Sequence, residues 1–109
     1  GLCFGADGII GSFYNVIPEL YKSIYECVKK SDIPGGIRLQ KIADELIFAA
    51  LQYDLPSIIY VLMRWRGLDA GYSRRPFQNY QDDEMAEMKQ AVKDIREKYH
   101  AEELNIFKV

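Results

Sequence analysis

The chain has 109 residues, 49% of them apolar and 28% charged, with 14 lysines and arginines set against 16 aspartates and glutamates. That balance suits one globular unit with its own core and excludes a mainly disordered chain. A formal charge of −2 provides no field to gather nucleic acid or an anionic membrane, so neither is expected as a partner.

The first eleven residues hold four of the eight glycines and no basic residue. Within them Gly8-Ile9-Ile10-Gly11 has the pattern of a short strand covered on both faces and ended by a tight turn. Nothing downstream offers it a strand partner, and an unpaired buried strand leaves backbone N–H and C=O groups unsatisfied. The expectation is a strand whose sheet lies outside these residues.

Asn15 is placed to cap a helix that has Pro18 in its first turn, and Val16, Ile17, Leu20, Tyr21, Ile24, Tyr25 and Val28 carry a helical stripe to about Lys30. Ser31-Asp32-Ile33-Pro34-Gly35-Gly36 has turn composition, and Leu39, Ile42, Ala43, Leu46, Ile47 and Ala50 mark a second helix beyond it. Ile37, Phe48 and Leu51 lie off that stripe, which predicts two neighbours covering this helix. Leu55 to Arg66 is apolar almost throughout. Its β-branched Ile58, Ile59 and Val61 would suit a strand, but Pro56-Ser57 is a helix start, so a central helix is expected. Gly67 to Tyr80 reads as a connecting loop. Met85, Met88, Val92, Ile95 and Tyr99 form the seam of a last helix over 82–99, opened by Asp82, Asp83 and Glu84 and closed by Lys98 and His100, as the helix dipole favours. The fold class is therefore mainly α, with about four helices after one short N-terminal strand.

No apolar run reaches the ~20 residues of a membrane span, and no basic residue precedes the first apolar stretch, so neither a span nor a signal peptide is expected. Cys3 and Cys27, with His100 as the single histidine, cannot assemble a usual zinc site, and the thiols are expected to be reduced and buried, as in the cytoplasm. No metal and no cofactor is expected.

Catalytic signatures are sparse. His100 has no adjacent nucleophile, and the carboxylate pair Asp44-Glu45 and run Asp82-Asp83-Glu84 place neighbours in different directions or at a helix start. Arg64, Arg66, Arg74 and Arg75, interleaved with Trp65, Tyr72 and Phe77, could hold a nucleic acid, but the acids of the last helix make an internal ion-pair interface the better expectation. Gly5-x-x-Gly8-x-x-Gly11 lacks both the lysine of a P-loop and the G-x-G of a dinucleotide fold.

Two motifs are more specific. Gly5-Ala6-Asp7-Gly8, Ile10-Gly11-Ser12 and Tyr14-Asn15 together resemble the G-A-D-G-x-I-G-S-T-Y-N signature of the N-acetylneuraminate lyases, within the dihydrodipicolinate synthase class I aldolase family, with Phe13 where threonine is usual. Gly71-Tyr72-Ser73-Arg74-Arg75-Pro76-Phe77 is similar to that family's G-x-C-R-x-P-F loop, with Ser73 in place of cysteine. The resemblance implies the last β/α unit of a (β/α)8 barrel plus its C-terminal helical extension: 1–12 as last strand and turn, 15–30 as last barrel helix, 35–109 as the extension. It also implies that the imine-forming lysine and the proton-relaying tyrosine lie on the sixth and fifth strands, so no catalytic residue falls in this chain. Ser12 aligns with the serine that contacts the polyhydroxyl part of the sugar acid, and Gly11 keeps the strand end low enough for that approach.

The parent implied by the resemblance cleaves N-acetylneuraminate to pyruvate and N-acetylmannosamine, while this chain alone is expected to be inactive. A reading from another class is a stand-alone helical interaction module that uses the last helix's seam or the arginine-rich loop. Without a barrel to cover it, the first helix's face of Ile17, Leu20, Tyr21, Ile24 and Val28 is expected to be exposed and to drive self-association, with two copies pairing or exchanging the Gly8–Ser12 segment as well.

Overall fold

In the computed structural model, which describes all 109 residues, the chain forms helices over Pro18–Lys29 (α1), Ile33–Ala50 (α2), Leu55–Trp65 (α3) and Ala86–Tyr99 (α4), with short 3-10 turns at Leu2–Phe4, Ser12–Tyr14, Asp82–Glu84 and Glu102–Leu104. Three of the helices start with a proline in the first turn, where its missing N–H costs nothing. Three stop in the same way. A left-handed residue follows the last turn at Ser31, Gly67 and His100, and the next amide reaches back to Cys27, Met63 and Arg96 respectively, at 2.8–3.0 Å.

Boundaries differ from expectation at two helices. α4 begins at Ala86 and not at Asp82, because Asp82–Glu84 form a separate 3-10 turn closed by a capping box between Gln81 and Glu84. Gly35 and Gly36 belong to the first turn of α2 rather than to a loop, because the Asp32 carboxylate caps the helix by accepting from the Gly35 amide at 3.1 Å. Gly36 is buried where α2 meets α1: a Cβ there would lie 3.5 Å from that of Cys27. Asn15, in turn, does not cap α1, whose N-cap position is Ile17.

The core is a single cluster of 21 buried apolar residues. α1 contributes Leu20 and Ile24, α2 contributes Leu39, Ile42, Leu46 and Ala50, α3 contributes Ile58, Val61, Leu62 and Trp65, and α4 contributes Met88, Val92 and Ile95. The first helix's apolar face is thus largely covered within the chain. α2 packs along it, burying Ile17, Leu20 and Ile24 and leaving Tyr21 and Val28 partly exposed. The converse holds for the off-stripe residues of α2. Ile37, Phe48 and Leu51 are more than half exposed, and no second neighbour covers them. α3 is also one-sided, since Ile59, Tyr60 and Met63 stay partly open.

The expected strand at Gly8–Gly11 does not form. Gly11 is extended (φ −176°, ψ 155°), but no backbone hydrogen bond engages residues 8 to 10, because no second strand is present to pair with them. Ile9 and Leu2 lie over the groove between α1 and α2, whereas Ile10 faces away and is 96% exposed. The two cysteines are free, Cys3 exposed and Cys27 half-buried, so the expected burial fails for Cys3. No helix is long and apolar enough by itself to cross a membrane.

The last ten residues complete the core. Ala101, Leu104 and Phe107 are buried, the Lys108 amide donates to the Trp65 carbonyl at 2.9 Å, and Arg96 donates to the carbonyls of Leu104 and Phe107. Phe107→Ala should destabilise the fold by about 3–5 kcal/mol, since a fully buried aromatic leaves a cavity its neighbours cannot refill. Urea unfolding followed by the Trp65 fluorescence measures it, and a loss under 1 kcal/mol would show the tail to be loosely docked.

Candidate functional site

Ser12 opens a 3-10 turn held from both sides. Phe13 plugs into the core, Tyr14 packs on the Tyr21 ring with centroids 4.1 Å apart, and the Ser12 carbonyl accepts from both the Asn15 amide (3.2 Å) and the Asn15 side-chain Nδ2 (3.1 Å). Burial is also what pushes the Tyr21 phenol up to about 12. The turn's backbone is therefore satisfied without the Ser12 hydroxyl, which is exposed and enters none of the chain's hydrogen bonds. Gly11 beside it is extended, and a Cβ there would meet the Tyr14 ring at an ordinary 3.6 Å, so no contact within the chain demands glycine.

What fixes the turn in space is Arg66, just beyond α3. Its guanidinium donates to the Val16 carbonyl and forks onto both Glu19 carboxylate oxygens, one of them at 2.9 Å. That hydrogen-bonded fork holds the Glu19 carboxyl below its ordinary range against the opposing effect of burial. Docked this way, Ser12 and Asn15 form one wall of an open cleft of about 450 Å³, and Leu55, Ile59, Tyr60 and Met63 of α3 form the facing wall. The α3 residues were expected in the core. Their spacing carries the missed signal: 55, 59 and 63 follow one another at i+4 on the face of the helix next to that of Ile58, Val61, Leu62 and Trp65.

The second motif braces α3 from behind. Ser73 donates its amide to Asn79 and accepts from Asn79 at its carbonyl, both at 2.9 Å, while buried Ser57 donates its hydroxyl to that of Ser73 at 3.2 Å. Arg64 donates to the Gly71 and Tyr80 carbonyls and lies over the Tyr72 ring at 4.8 Å. The arginines therefore do not form the expected interface with the acids of the last helix. Arg64 and Arg66 are spent inside the fold on carbonyls and on Glu19, and Arg74 and Arg75 are exposed.

The remaining candidates are structural. Asp82 accepts from the Trp65 indole at 2.7 Å and pairs with Lys89, contacts that hold its carboxyl below the ordinary range, Lys89 first. Glu45 is lowered likewise by Lys98 and then Tyr99. His100 is an exposed left-handed helix end, and no cluster of three or more His, Cys, Asp or Glu side chains could hold a metal. The chain thus offers a hydroxyl-bearing cleft wall and no nucleophile–base pair.

Residues 1–95 match the model of the dihydrodipicolinate synthetase family. The chain is 34% identical over 95 residues to the N-acetylneuraminate lyase of Clostridium perfringens, covering 87% of this chain and 32% of that protein, and 38% identical over 72 residues to that of Fusobacterium nucleatum, covering 66% and 25%. Its fold superposes on the crystal structure of N-acetylneuraminate lyase from Mycoplasma synoviae with a TM-score of 0.72 at 32% identity, over 91% of this chain and 33% of that one. The chain spans about a third of the length of these relatives.

Proposed function

This chain belongs to the dihydrodipicolinate synthetase family, and from that premise we propose that it is the C-terminal part of an aldolase that cleaves N-acetylneuraminate to pyruvate and N-acetylmannosamine through a lysine imine. The observation that carries the reading is the conjunction at Ser12. It stands in the signature segment Gly5–Asn15, its hydroxyl has no partner within the chain, and it borders a cleft of small-molecule size. In the parent that hydroxyl hydrogen-bonds a hydroxyl of the sugar acid. The chemistry itself belongs to residues on preceding strands: a lysine amine condenses with the substrate's 2-oxo carbon, and the imine accepts the electron pair released as the carbon–carbon bond breaks.

The chain alone has no group for that step. An imine-forming lysine needs a depressed pKa in a dry pocket. Lys22, Lys29, Lys30, Lys41, Lys93 and Lys108 are exposed, half-buried Lys89 is paired with Asp82, and Lys98 is shifted upward by its hydrogen bond to Glu45. Borohydride trapping with pyruvate should therefore leave the isolated chain unlabelled, and stoichiometric modification of any of its lysines, read by mass spectrometry, would contradict this.

In the full-length parent, Ser12→Ala removes one neutral hydrogen bond, worth about 0.5–1.5 kcal/mol, or roughly a two- to twelvefold loss in kcat/KM for the sugar acid. Imine trapping by pyruvate should be unchanged. Unchanged cleavage would reduce Ser12 to a turn residue, and parallel loss in both assays would indicate a disrupted turn.

The isolated chain is further proposed to self-associate, through the Gly8–Ser12 segment and not through α1. Support comes from Ile10 at 96% and Phe4 at 99% exposure beside a backbone with both edges unpaired. Light scattering at high micromolar concentration should detect dimers that Ile10→Asp abolishes; a monomer before the substitution, or dimers that survive it, would refute the assignment.

A further inference from the structure

We propose that Tyr60 is a second substrate-contacting residue, a phenol on the cleft wall facing Ser12 that selects sugar acids with a hydroxylated tail. The inference rests on the aldolase reading above and extends it to the helical extension. α3 turns its buried side, Ile58, Val61, Leu62 and Trp65, toward the core and presents Leu55, Ile59, Tyr60 and Met63 to the cleft. Three of those four side chains carry no group able to hydrogen-bond strongly. The other hydroxyl of this helix, Ser57, is buried and committed to Ser73 on the far side. Tyr60 therefore brings the only hydroxyl on α3's wall of the cleft, and it enters none of the chain's hydrogen bonds.

A phenol half-buried in an apolar wall is costly to cover with a ligand that cannot pair it, and favourable to cover with one that can. Ser12 and Tyr60 thus bring two unpaired hydroxyls to facing walls of one cleft, with apolar Ile59 and Met63 beside Tyr60. The complementary ligand segment is a short polyol with a carbon face, and an analogue lacking the hydroxyls leaves the phenol desolvated and unpaired.

The test is Tyr60→Phe in the full-length enzyme, which keeps the ring and removes the oxygen. Three readouts are compared with the parent: cleavage of N-acetylneuraminate, cleavage of a 4-hydroxy-2-oxo acid with no polyol tail, and imine trapping by pyruvate. Expected are a two- to twelvefold fall in kcat/KM for the sugar acid, carried mainly by KM, with the tail-less substrate and the trapping unchanged. Equal kcat/KM for the sugar acid in parent and variant would overturn the role of Tyr60 while leaving the aldolase reading intact. Equal losses on both substrates would also overturn it, because they signal a deformed helix rather than a lost contact. A parent that cleaves neither substrate would remove the aldolase reading and this inference with it.

Discussion

The last turn of α3 fixes where four other segments lie. Trp65 donates its indole N–H to Asp82 ahead of α4, accepts the Lys108 amide of the tail at its carbonyl, and has the Lys89 ammonium over its ring at 5.7 Å. Arg66, the next residue, takes the Val16 carbonyl and Glu19 at the start of α1. Because charge-assisted, forked hydrogen bonds are directional, this pair sets orientation as well as proximity. The Ser12–Tyr14 turn precedes the Arg66 anchor by a few residues, so the width of the cleft between Ser12 and α3 depends on that guanidinium.

Most of the helical architecture could be read from periodicity, and its failures have specific causes. The stripes of Leu20–Ile24 and Met88–Ile95 identify α1 and α4 correctly because each is a simple amphipathic face. Gly35-Gly36 reads as a loop by composition, yet Asp32 caps through it and the close approach of α1 makes glycine useful inside the helix. Residues 101–109 are too few for their pattern to mark an amphipathic helix. Three apolar anchors spaced by three, held by Arg96, dock them, and local pattern does not encode such a long-range fit. On α2 and α3 apolar character does not mean burial: Ile37, Phe48 and Leu51 remain open, and the outer side of α3 lines a cleft.

Of the candidate site, one wall was legible. Ser12 and Gly11 emerge from the signature segment, whereas Tyr60 carries no motif and gains its place only when Arg66 brings the turn against α3. Ser73, the centre of the second motif, proves to be a brace for the loop through Asn79 and Ser57. The same physical distinction runs through all four residues. Hydroxyls engaged within the chain hold the scaffold, and hydroxyls left unpaired on a cleft are available to a ligand.

The Gly8–Gly11 segment joins fold to function. Its side chains alternate, Ile9 toward the α1–α2 groove and Ile10 away from it, while its backbone has no partner on either edge. A closed barrel is the arrangement that satisfies both edges and both faces at once. Amide hydrogen exchange at Ile9 and Ile10 tests this most directly, compared between the isolated chain and a longer protein that carries seven preceding strands of the family fold. The account predicts near-unprotected exchange in the former and protection approaching that of the core in the latter. Equally fast exchange in both would contradict it.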